Sequence, residues 1–268
     1  MTNIHKTALV DEKARLAENV EIGPFSIIGP DVTIGAGTKI GAYVQIKNCV
    51  EIGNENQIFH GSSIGELGQD LTFSNPEPKI VIGNKNILRE NVVIHQPAKQ
   101  GNTTRLGDQN YIMCNVHLGH DVRMGNNNII APTSALGGHV ELENNVYISG
   151  LVAIHQFVHI GRYAIIGGGT PALLDVPPYS MLTGSPGAIT GLNMVAMRRA
   201  KFSSDKIQLV KNIYKAVFMR NAIPAKAPDI LEGEMLIKYQ PGSEEYLLIK
   251  HYIDFLRASK RGITPRQT

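Results

Sequence analysis

The chain has 268 residues, of which 43% are hydrophobic and 18% charged, a composition that excludes a disordered protein. Aromatic residues make up only 6% against 27 glycines, so the core must be filled by aliphatic side chains rather than by rings. No uncharged apolar run approaches the ~20 residues of a membrane span, and the N-terminus lacks a signal-peptide pattern. Cys49 and Cys114 are two lone cysteines, which fits a reducing compartment. We therefore expect a cytoplasmic protein without a membrane span.

Aliphatic residues recur at every sixth position through the first two thirds of the chain. Of the 28 positions counted in steps of six from Ile4 to Ile166, 24 hold Ile, Leu or Val and one holds Met. A period of six matches neither a helix nor a two-residue alternation, but it matches a short strand followed by a turn. The pattern predicts a β-solenoid whose coils each contain three hexads, with the aliphatic side chain inside. Glycine often follows the aliphatic residue, and we expect it to serve turns with positive φ.

Two polar segments interrupt this repeat, near residues 68–79 and 96–104. They contain Asp70, Pro76 and Gln100, the three residues that break the aliphatic series. An insertion that leaves the wall of a solenoid is more often a functional loop than a tolerated surface insertion. We therefore predict a first domain over residues 1–190 that carries two functional loops.

The pattern changes in residues 191–268, which we predict to form a small helical domain. Ser203 is a typical helix start, and apolar spacing predicts further helices over 228–239 and 243–259. This part contains 14 basic and 7 acidic residues, whereas residues 1–190 contain 12 basic and 16 acidic ones. Basic surfaces attract acidic partners, but no nucleic-acid-binding motif is present, and the charge alone favours a solvated helical surface.

Several histidines align when the predicted coil of 18 residues is unrolled. His120, Gly138 and Gln156 then form one column, with His139 and His155 one residue to either side of it. The coils of a parallel solenoid rise by ~4.8 Å each, so the three histidines lie within about 10 Å along one edge. Their convergence indicates a functional site rather than three inert side chains.

This edge is compatible with two kinds of chemistry. A histidine with a near-neutral pKa can take a proton from an attacking hydroxyl, and a neighbouring carboxylate can orient it. Asp121 directly follows His120, although adjacent residues of a strand point to opposite faces. His117, which we expect one hexad corner away, adds a further imidazole. The alternatives are a zinc site, as in a zinc hydratase, and a solenoid without catalytic activity.

The segment 115–121, Asn-Val-His-Leu-Gly-His-Asp, resembles the catalytic motif of the UDP-N-acetylglucosamine O-acyltransferases. Segments 69–71, 137–140, 153–157 and 175–179 are similar to the same family, and the resemblance covers essentially the whole chain. It implies a mainly β fold, a left-handed parallel β-helix of hexapeptide repeats with a C-terminal α-helical domain.

The resemblance also implies a reaction and its partners. A (3R)-hydroxyacyl chain would pass from acyl carrier protein to the glucosamine 3-hydroxyl of UDP-N-acetylglucosamine, the first step of lipid A biosynthesis. The family uses no cofactor or metal and works as a homotrimer with active sites between subunits. The basic helical domain would then serve as the docking surface for the acidic carrier protein.

The resemblance assigns roles to individual residues. His120 would be the general base, Asp121 would orient it, and the Gly138 N–H would stabilise the thioester oxyanion. Gly168 matches the position that sets acyl-chain length, and its missing side chain implies a long chain. The substrate-binding residues would be Asp70, His117, His139, His155, Gln156, Gly168, Asn193 and Arg199.

Three residues depart from the family pattern. Thr72 stands where the motif Gln-Asp-Leu-Lys has lysine, Val195 stands where glutamate is common, and Ala200 stands where a second arginine often lies. These departures affect the expected nucleotide contacts. They also leave open a 3-amino sugar as the acceptor, for which the product would be an amide.

Overall fold

The computed structural model describes residues 2–74, 78–219 and 226–267. Its strands form three sheets of parallel strands, each taking every third strand of the chain, so that the chain winds as a left-handed parallel β-helix. This confirms the predicted fold class. One sheet ends in an antiparallel hairpin of Ser180–Thr183 and Ala188–Leu192. Among the described residues, no helix is long and apolar enough to cross a membrane.

The strands are short, and each sheet is a stack of them along the axis. Sheet 1 contains Asn3–Ile4, Glu21–Ile22, Lys39–Ile40, Gln57–Ile58, Ile87–Leu88, Tyr111–Ile112, Ile129–Ile130, Tyr147–Ile148, Ile165–Ile166, Ser180–Thr183 and Ala188–Leu192. Sheet 2 contains Leu9–Val10, Ile27–Ile28, Gln45–Ile46, Ser63–Glu66, Val93–His95, His117–Leu118, Ala135–Leu136, Ala153–Ile154 and Pro171–Ala172. Sheet 3 contains Arg15–Leu16, Thr33–Ile34, Val50–Ile52, Lys79–Ile82, Thr103–Leu106, Arg123–Met124, Glu141–Leu142 and His159–Ile160.

The register shows how the chain accommodates the two interruptions. Ile22 pairs with Ile40, a spacing of 18 residues that is typical of the uninterrupted coils. The spacing rises to 30 across the first interruption, where Ile52 pairs with Ile82, and to 24 across the second, where Ile82 pairs with Leu106. The chain therefore leaves the wall after Glu66 and after His95 and rejoins it at Lys79 and at Thr103, and the aliphatic series continues in phase behind each loop.

The prediction that the repeat glycines serve positive-φ turns holds only for Gly65, with a φ of 95°, and is wrong for the others. The left-handed turn position is held mostly by other residues, among them Asn19, Phe25, Tyr43, Asn127 and His139. The glycines after the aliphatic residues serve close approach between coils instead. A Cβ on Gly23 would lie 2.6 Å from the carbonyl carbon of Gly41, and one on Gly107 would lie 2.7 Å from the carbonyl oxygen of Gly125.

A ladder of asparagines runs inside the otherwise aliphatic core. Asn56, Asn86, Asn110 and Asn128 are fully or almost fully buried. The amide of Asn110 donates to Asn86 Oδ1 at 3.0 Å, and that of Asn86 donates to Asn56 Oδ1 at 3.0 Å. Both amides also donate to a glycine carbonyl, so the side chains of Asn86 and Asn110 are paired from coil to coil. The Asn128 Nδ2, at the end of the ladder, is buried without such a partner among the described residues.

The helices follow the last strand. They are α1 (Met194–Arg199), α2 (Ser204–Phe218), α3 (Ala227–Glu234), a 3₁₀ turn (Leu236–Lys238) and α4 (Glu244–Ala258). Ser203 and Ser243 cap α2 and α4 by accepting backbone N–H groups, as serine does at helix starts. The helix expected over 228–239 is divided between α3 and the 3₁₀ turn, and α1 was not predicted.

The helices share an apolar core of their own, separate from that of the β-helix. The chain then returns to the solenoid, because the Thr264 N–H donates to Asp175 O at 2.9 Å and the Ile189 N–H donates to Pro265 O at 2.8 Å. The last residues therefore lie against the final coils, beside the corner that carries the histidines.

Candidate functional site

The corners between sheets 2 and 3, at residues 119–122, 137–140 and 155–158, form one edge of the prism, here called the histidine corner. On it, His120 Nδ1 lies 2.8 Å from Asp121 Oδ2, and both side chains are buried. Asp121 has a φ of 60°, so the chain turns here and the alternation of a strand does not apply. The two neighbouring side chains therefore meet. With the Nδ1–H donating to the carboxylate, Nε2 is left as the proton acceptor.

The Asp121 carboxylate is held by the second inserted loop. Its Oδ2 also accepts the Ala98 N–H at 2.9 Å, and the Asp121 N–H donates to Thr104 Oγ1 at 3.0 Å. Burial alone would raise the pKa of Asp121, but the hydrogen bonds from Ala98 and His120 outweigh it and lower the pKa. Asp121 is therefore ionised at neutral pH and accepts, rather than donates, the bond to His120.

Gly138 and His139 lie one coil above this pair. A Cβ on Gly138 would overlap the His120 imidazole, so the glycine makes room for that ring. His139 Nε2 is 3.6 Å from Asp121 Oδ2, and its ring stacks on Phe157 with centroids 4.6 Å apart. Burial lowers the pKa of His139, although the Asp121 carboxylate opposes this, so the imidazole is mainly neutral at pH 7.

The same three side chains form the one grouping of metal-ligand type within residues 2–74, 78–219 and 226–267. His120, Asp121 and His139 offer ligand atoms within 4.8 Å of one another. Asp121 Oδ2 is already shared between the His120 imidazole and the Ala98 N–H. A metal ion at this grouping would therefore compete with the hydrogen bonds that orient His120.

The first inserted loop brings Asp70 to the site. Asp70 Oδ1 accepts the Thr72 N–H at 2.7 Å and the Thr72 hydroxyl at 2.8 Å, and these two bonds lower the pKa of Asp70. A protonated His120 would contribute in the same direction. A Cβ on Gly68 would lie 3.2 Å from His120 Cβ, which shows how closely this loop approaches the base.

His117 does not lie one hexad corner away, as expected, but on the strand that leads into the histidine corner. Its ring packs 4.8 Å from the ring of His95, and burial lowers the pKa of His117. His95 is buried, with Nδ1 2.7 Å from Leu67 O at the start of the first loop. Sequence reasoning missed His95. The coils on either side of the second interruption are 24 rather than 18 residues apart. A count with this spacing would have placed His95 beside the histidine column.

The remaining expected residues divide into two groups. His155 and Gln156 lie exposed on the histidine corner, with His155 Nδ1 3.2 Å from Gln156 O. Gly168 is exposed on the corner between sheets 1 and 2, a different edge of the prism. Within one chain, Gly168 is therefore not brought together with His120.

Asn193 also lies on another edge, between sheets 3 and 1, and Arg199 lies in the last turn of α1, the helix that begins there. Asn193 is buried and caps α1: its Oδ1 accepts the Ala196 N–H at 3.1 Å and its Nδ2 donates to Tyr163 O at 2.9 Å. Arg199 is exposed in the last turn of α1. Asn193 thus has a structural task at this position, whereas the Arg199 guanidinium faces solvent.

An open cavity of about 420 Å³ adjoins the His120–Asp121 pair on the side of sheet 3. It extends along the axis from Asp121 to the end of α4. Its lining includes both basic and acidic side chains. The lining residues are Asn102, Asp121, Arg123, His139, Glu141, Phe157, His159, Asp175, Ala258 and Lys260. Of the His120–Asp121 pair, Asp121 borders this open space.

Comparison with known proteins identifies relatives over the full length. Residues 175–264 match the family model described as UDP N-acetylglucosamine O-acyltransferase, domain 2, and residues 13–48 and 103–138 match the bacterial transferase hexapeptide repeat. The acyl-[acyl-carrier-protein]--UDP-N-acetylglucosamine O-acyltransferase of Myxococcus xanthus is 44% identical over 265 residues, which are 98% of this chain and 100% of that protein. The enzyme of the same name from Paraburkholderia phymatum is 39% identical, covering 98% of this chain and 99% of its own.

Solved structures agree with these relatives. LpxA from Acinetobacter baumannii is 40% identical, with a TM-score of 0.90 over 97% of this chain and 99% of that one. The UDP-N-acetylglucosamine acyltransferase of Francisella novicida is 33% identical, with a TM-score of 0.91 over 98% of this chain and 94% of that one. On this full-length similarity, the chain belongs to the UDP-N-acetylglucosamine O-acyltransferase family.

Proposed function

We propose that the protein transfers a (3R)-hydroxyacyl chain from acyl carrier protein to the glucosamine 3-hydroxyl of UDP-N-acetylglucosamine. This is the first step of lipid A biosynthesis. The printed names of the full-length relatives give the donor and the acceptor. The observation that carries the proposal is the His120–Asp121 pair, with Nδ1 and Oδ2 2.8 Å apart, beneath a glycine that leaves its ring free.

The pair supports direct transfer from the thioester. His120 Nε2 takes the proton of the acceptor hydroxyl as the oxygen attacks the thioester carbon, and Asp121 stabilises the imidazolium that forms. The Gly138 N–H, which donates to no backbone acceptor within the described part of the chain, stabilises the oxyanion. The C–S bond then breaks, the carrier thiolate takes the proton back from His120, and the ester is released.

The residues around the pair hold the acceptor. Asp70, kept ionised by Thr72, accepts hydrogen bonds from the N-acetylglucosamine group. The neutral imidazoles of His117 and His139 line the same space. His155 and Gln156, exposed on the histidine corner, are available to the nucleotide.

The positions of Gly168, Asn193 and Arg199 support a homotrimer. They lie on edges of the prism other than the histidine corner, or in the helix that begins at such an edge, so they reach a His120 site only across a subunit boundary. In such an assembly Gly168 faces the acyl chain of a neighbouring site, and Arg199 offers its guanidinium to the diphosphate. Asn193 contributes there by holding α1. The basic helical domain, with 14 basic and 7 acidic residues over 191–268, docks the acidic carrier protein.

The direct test is incubation with UDP-N-acetylglucosamine and a panel of hydroxyacyl carrier proteins, followed by mass spectrometry. We expect one acylated nucleotide sugar with release of the carrier thiol, and a product labile to mild base because it is an ester. A base-stable amide formed from a 3-amino sugar would revise the acceptor. The same panel applied to Gly168→Met tests the acyl groove, and we expect a shift to shorter chains.

His120→Ala should reduce kcat by about 10²–10⁴-fold, because it removes the general base. Circular dichroism and sedimentation should show the same fold and the same trimer as the unsubstituted protein. Turnover close to that of the unsubstituted enzyme would refute the assignment of the base.

A metal-dependent hydratase is the second candidate, because His120, Asp121 and His139 group their ligand atoms within 4.8 Å. Metal analysis of the purified protein decides between the two. Stoichiometric zinc, with activity abolished by chelation, would favour the hydratase.

A further inference from the structure

The second inserted loop joins the first loop to the His120–Asp121 pair. The Ala98 N–H donates to Asp121 Oδ2 at 2.9 Å, and Ala98 O accepts the Ser74 N–H at 3.1 Å. Ser74 and Lys99 form a parallel β-bridge. Lys99 is thus the neighbour of Ala98, the residue that contacts Asp121, and it lies where the two inserted loops meet.

The Lys99 ammonium is exposed and its charge acts on both sides of this junction. It lowers the pKa of Asp70, after the hydrogen bonds from Thr72, and it lowers the pKa of His139, after burial. Within the described ranges, the lysine ion pairs with carboxylates engage other residues, such as Lys47, Lys79 and Lys85, and none involves Lys99. The ammonium is thus available to a ligand.

The first loop itself provides no cation at this place. Thr72 stands where the matching motif has lysine, and its N–H and hydroxyl are both used by Asp70. Within the described residues, the two inserted loops carry one carboxylate, Asp70, and one ammonium, Lys99, and the second loop rests on the Asp121 carboxylate. The carboxylates of Asp70 and Asp121 would oppose the approach of a phosphate, since like charges repel.

We propose that Lys99 binds a phosphate group of the substrate at the junction of the two inserted loops, supplying the cation that Thr72 does not. The inference rests on the proposed function, in which both substrates are anionic. The phosphate belongs either to the diphosphate of the nucleotide sugar or to the phosphopantetheine arm of the donor. An ammonium–phosphate contact at an exposed site is a charge-assisted hydrogen bond that high salt weakens.

The test compares Lys99→Ala and Lys99→Arg with the unsubstituted enzyme. We expect Lys99→Ala to raise the KM of one substrate by roughly tenfold with kcat changed less than about threefold, because the contact is made equally in ground state and transition state. Lys99→Arg should retain most of the affinity. Separate titrations of UDP-N-acetylglucosamine and of the acyl carrier protein identify which phosphate is bound.

Two further variants sharpen the result. Lys85→Ala removes a comparable exposed lysine, which pairs with Glu55 at 3.8 Å on another corner, and should leave both KM values unchanged. Thr72→Lys placed in the Lys99→Ala background returns a cation to the junction and should recover part of the lost affinity. The effect of Lys99→Ala should shrink at high ionic strength.

Unchanged KM values in Lys99→Ala, or a loss confined to kcat, would overturn the inference. Its failure is distinct from failure of the proposed function, which would appear as absent acyl transfer in the unsubstituted enzyme. In that case calorimetry with UDP and with phosphopantetheine as separate probes still applies. Binding of either probe weakened in Lys99→Ala but not in Lys85→Ala supports a phosphate site at Lys99, and equal binding of both probes in all three proteins refutes it.

Discussion

Two neighbouring features define the reactivity of His120: a carboxylate on one side and a missing side chain on the other. Asp121 reaches the imidazole because a left-handed turn, with a φ of 60°, brings consecutive side chains together. Gly138 leaves the space that the ring occupies. The space that Gly138 leaves can be tested separately from the Asp121 carboxylate.

Gly138→Ala should lower kcat by at least about tenfold while the protein remains folded. The added Cβ would overlap the His120 ring and force it to turn away from Asp121, which removes the oriented base. Steady-state kinetics measures the loss, and the unfolding midpoint checks the fold.

Gly233→Ala is the matched control, because a Cβ at that position, in α3, has nothing within 4 Å. Equal activity of the two variants would show that the Gly138 position tolerates a side chain and that the ring is not held there.

At the scale of the elements, the repeat places left-handed turns and close contacts between coils at different positions, although glycine often serves both. The left-handed turn residues are mostly not glycine, whereas the glycines after the core aliphatics, except Gly65, have ordinary φ values and lie close to the next coil. Asn127, for example, has a φ of 58°, while Gly107 is restricted by the backbone of Gly125. A substitution at each type of position should therefore have a different effect.

Gly107→Ala should destabilise the protein by about 1–3 kcal/mol, because its Cβ would lie 2.7 Å from Gly125 O and the coils would have to separate. Asn127→Gly should change stability by less than about 1 kcal/mol, since relief of the left-handed conformation offsets the entropy of an added glycine. Denaturant unfolding of both variants compares them directly. A larger loss in Asn127→Gly than in Gly107→Ala would contradict this division of roles.

At the scale of the whole molecule, one carboxylate joins the β-helix to the helices. Glu143 lies 3.3 Å from His159 Nε2 and 3.0 Å from His251 Nε2 of α4, and it accepts the Arg162 N–H at 2.8 Å. Burial would raise the pKa of Glu143, but the bonds from His159 and His251 outweigh it and lower the pKa from 4.5 to about 2. The junction therefore favours the ionised carboxylate in the folded protein.

Because the folded pKa of Glu143 is depressed, its contribution to stability is present above pH 4.5 and is lost as the pH falls towards 2. A shift of this size corresponds to about 3 kcal/mol. Glu143→Gln should thus be less stable at neutral pH and show a weaker loss of stability over that acid range. Unfolding measured at a series of pH values tests this, with Glu141→Gln as the control. Parallel pH curves for the unsubstituted protein and Glu143→Gln would refute the assignment.

The fold could be predicted from the sequence because its signal is long-range and regular. The six-residue aliphatic series gave the coil, and the 18-residue column placed Gly138 above His120, as the structure has them. The contact between His120 and Asp121 could not be derived in this way, because it depends on the backbone conformation of a single turn. His95 was missed because its column passes through an inserted loop of unknown length.

Two other features were missed because they depend on partners elsewhere in the chain. The buried Asn86 has the pattern of a polar turn residue, and its burial becomes favourable only when Asn56 and Asn110 continue the ladder. The six residues of α1 are too few for a periodic signal, and the helix depends on Asn193 as its cap. Likewise, no pattern in the sequence relates Lys99 to Asp70, because the two inserted loops meet only in the folded protein.

The register across the two loops has a consequence for how such a site arises in evolution. The spacings of 30 and 24 residues exceed the ordinary 18 by whole multiples of six. Each loop therefore has the length of complete repeat units that have left the wall, and removing those units would restore an unbroken prism with every core aliphatic in place. Gain or loss of single repeats by recombination can thus remodel the mouth of the active site without moving the scaffold that holds the base.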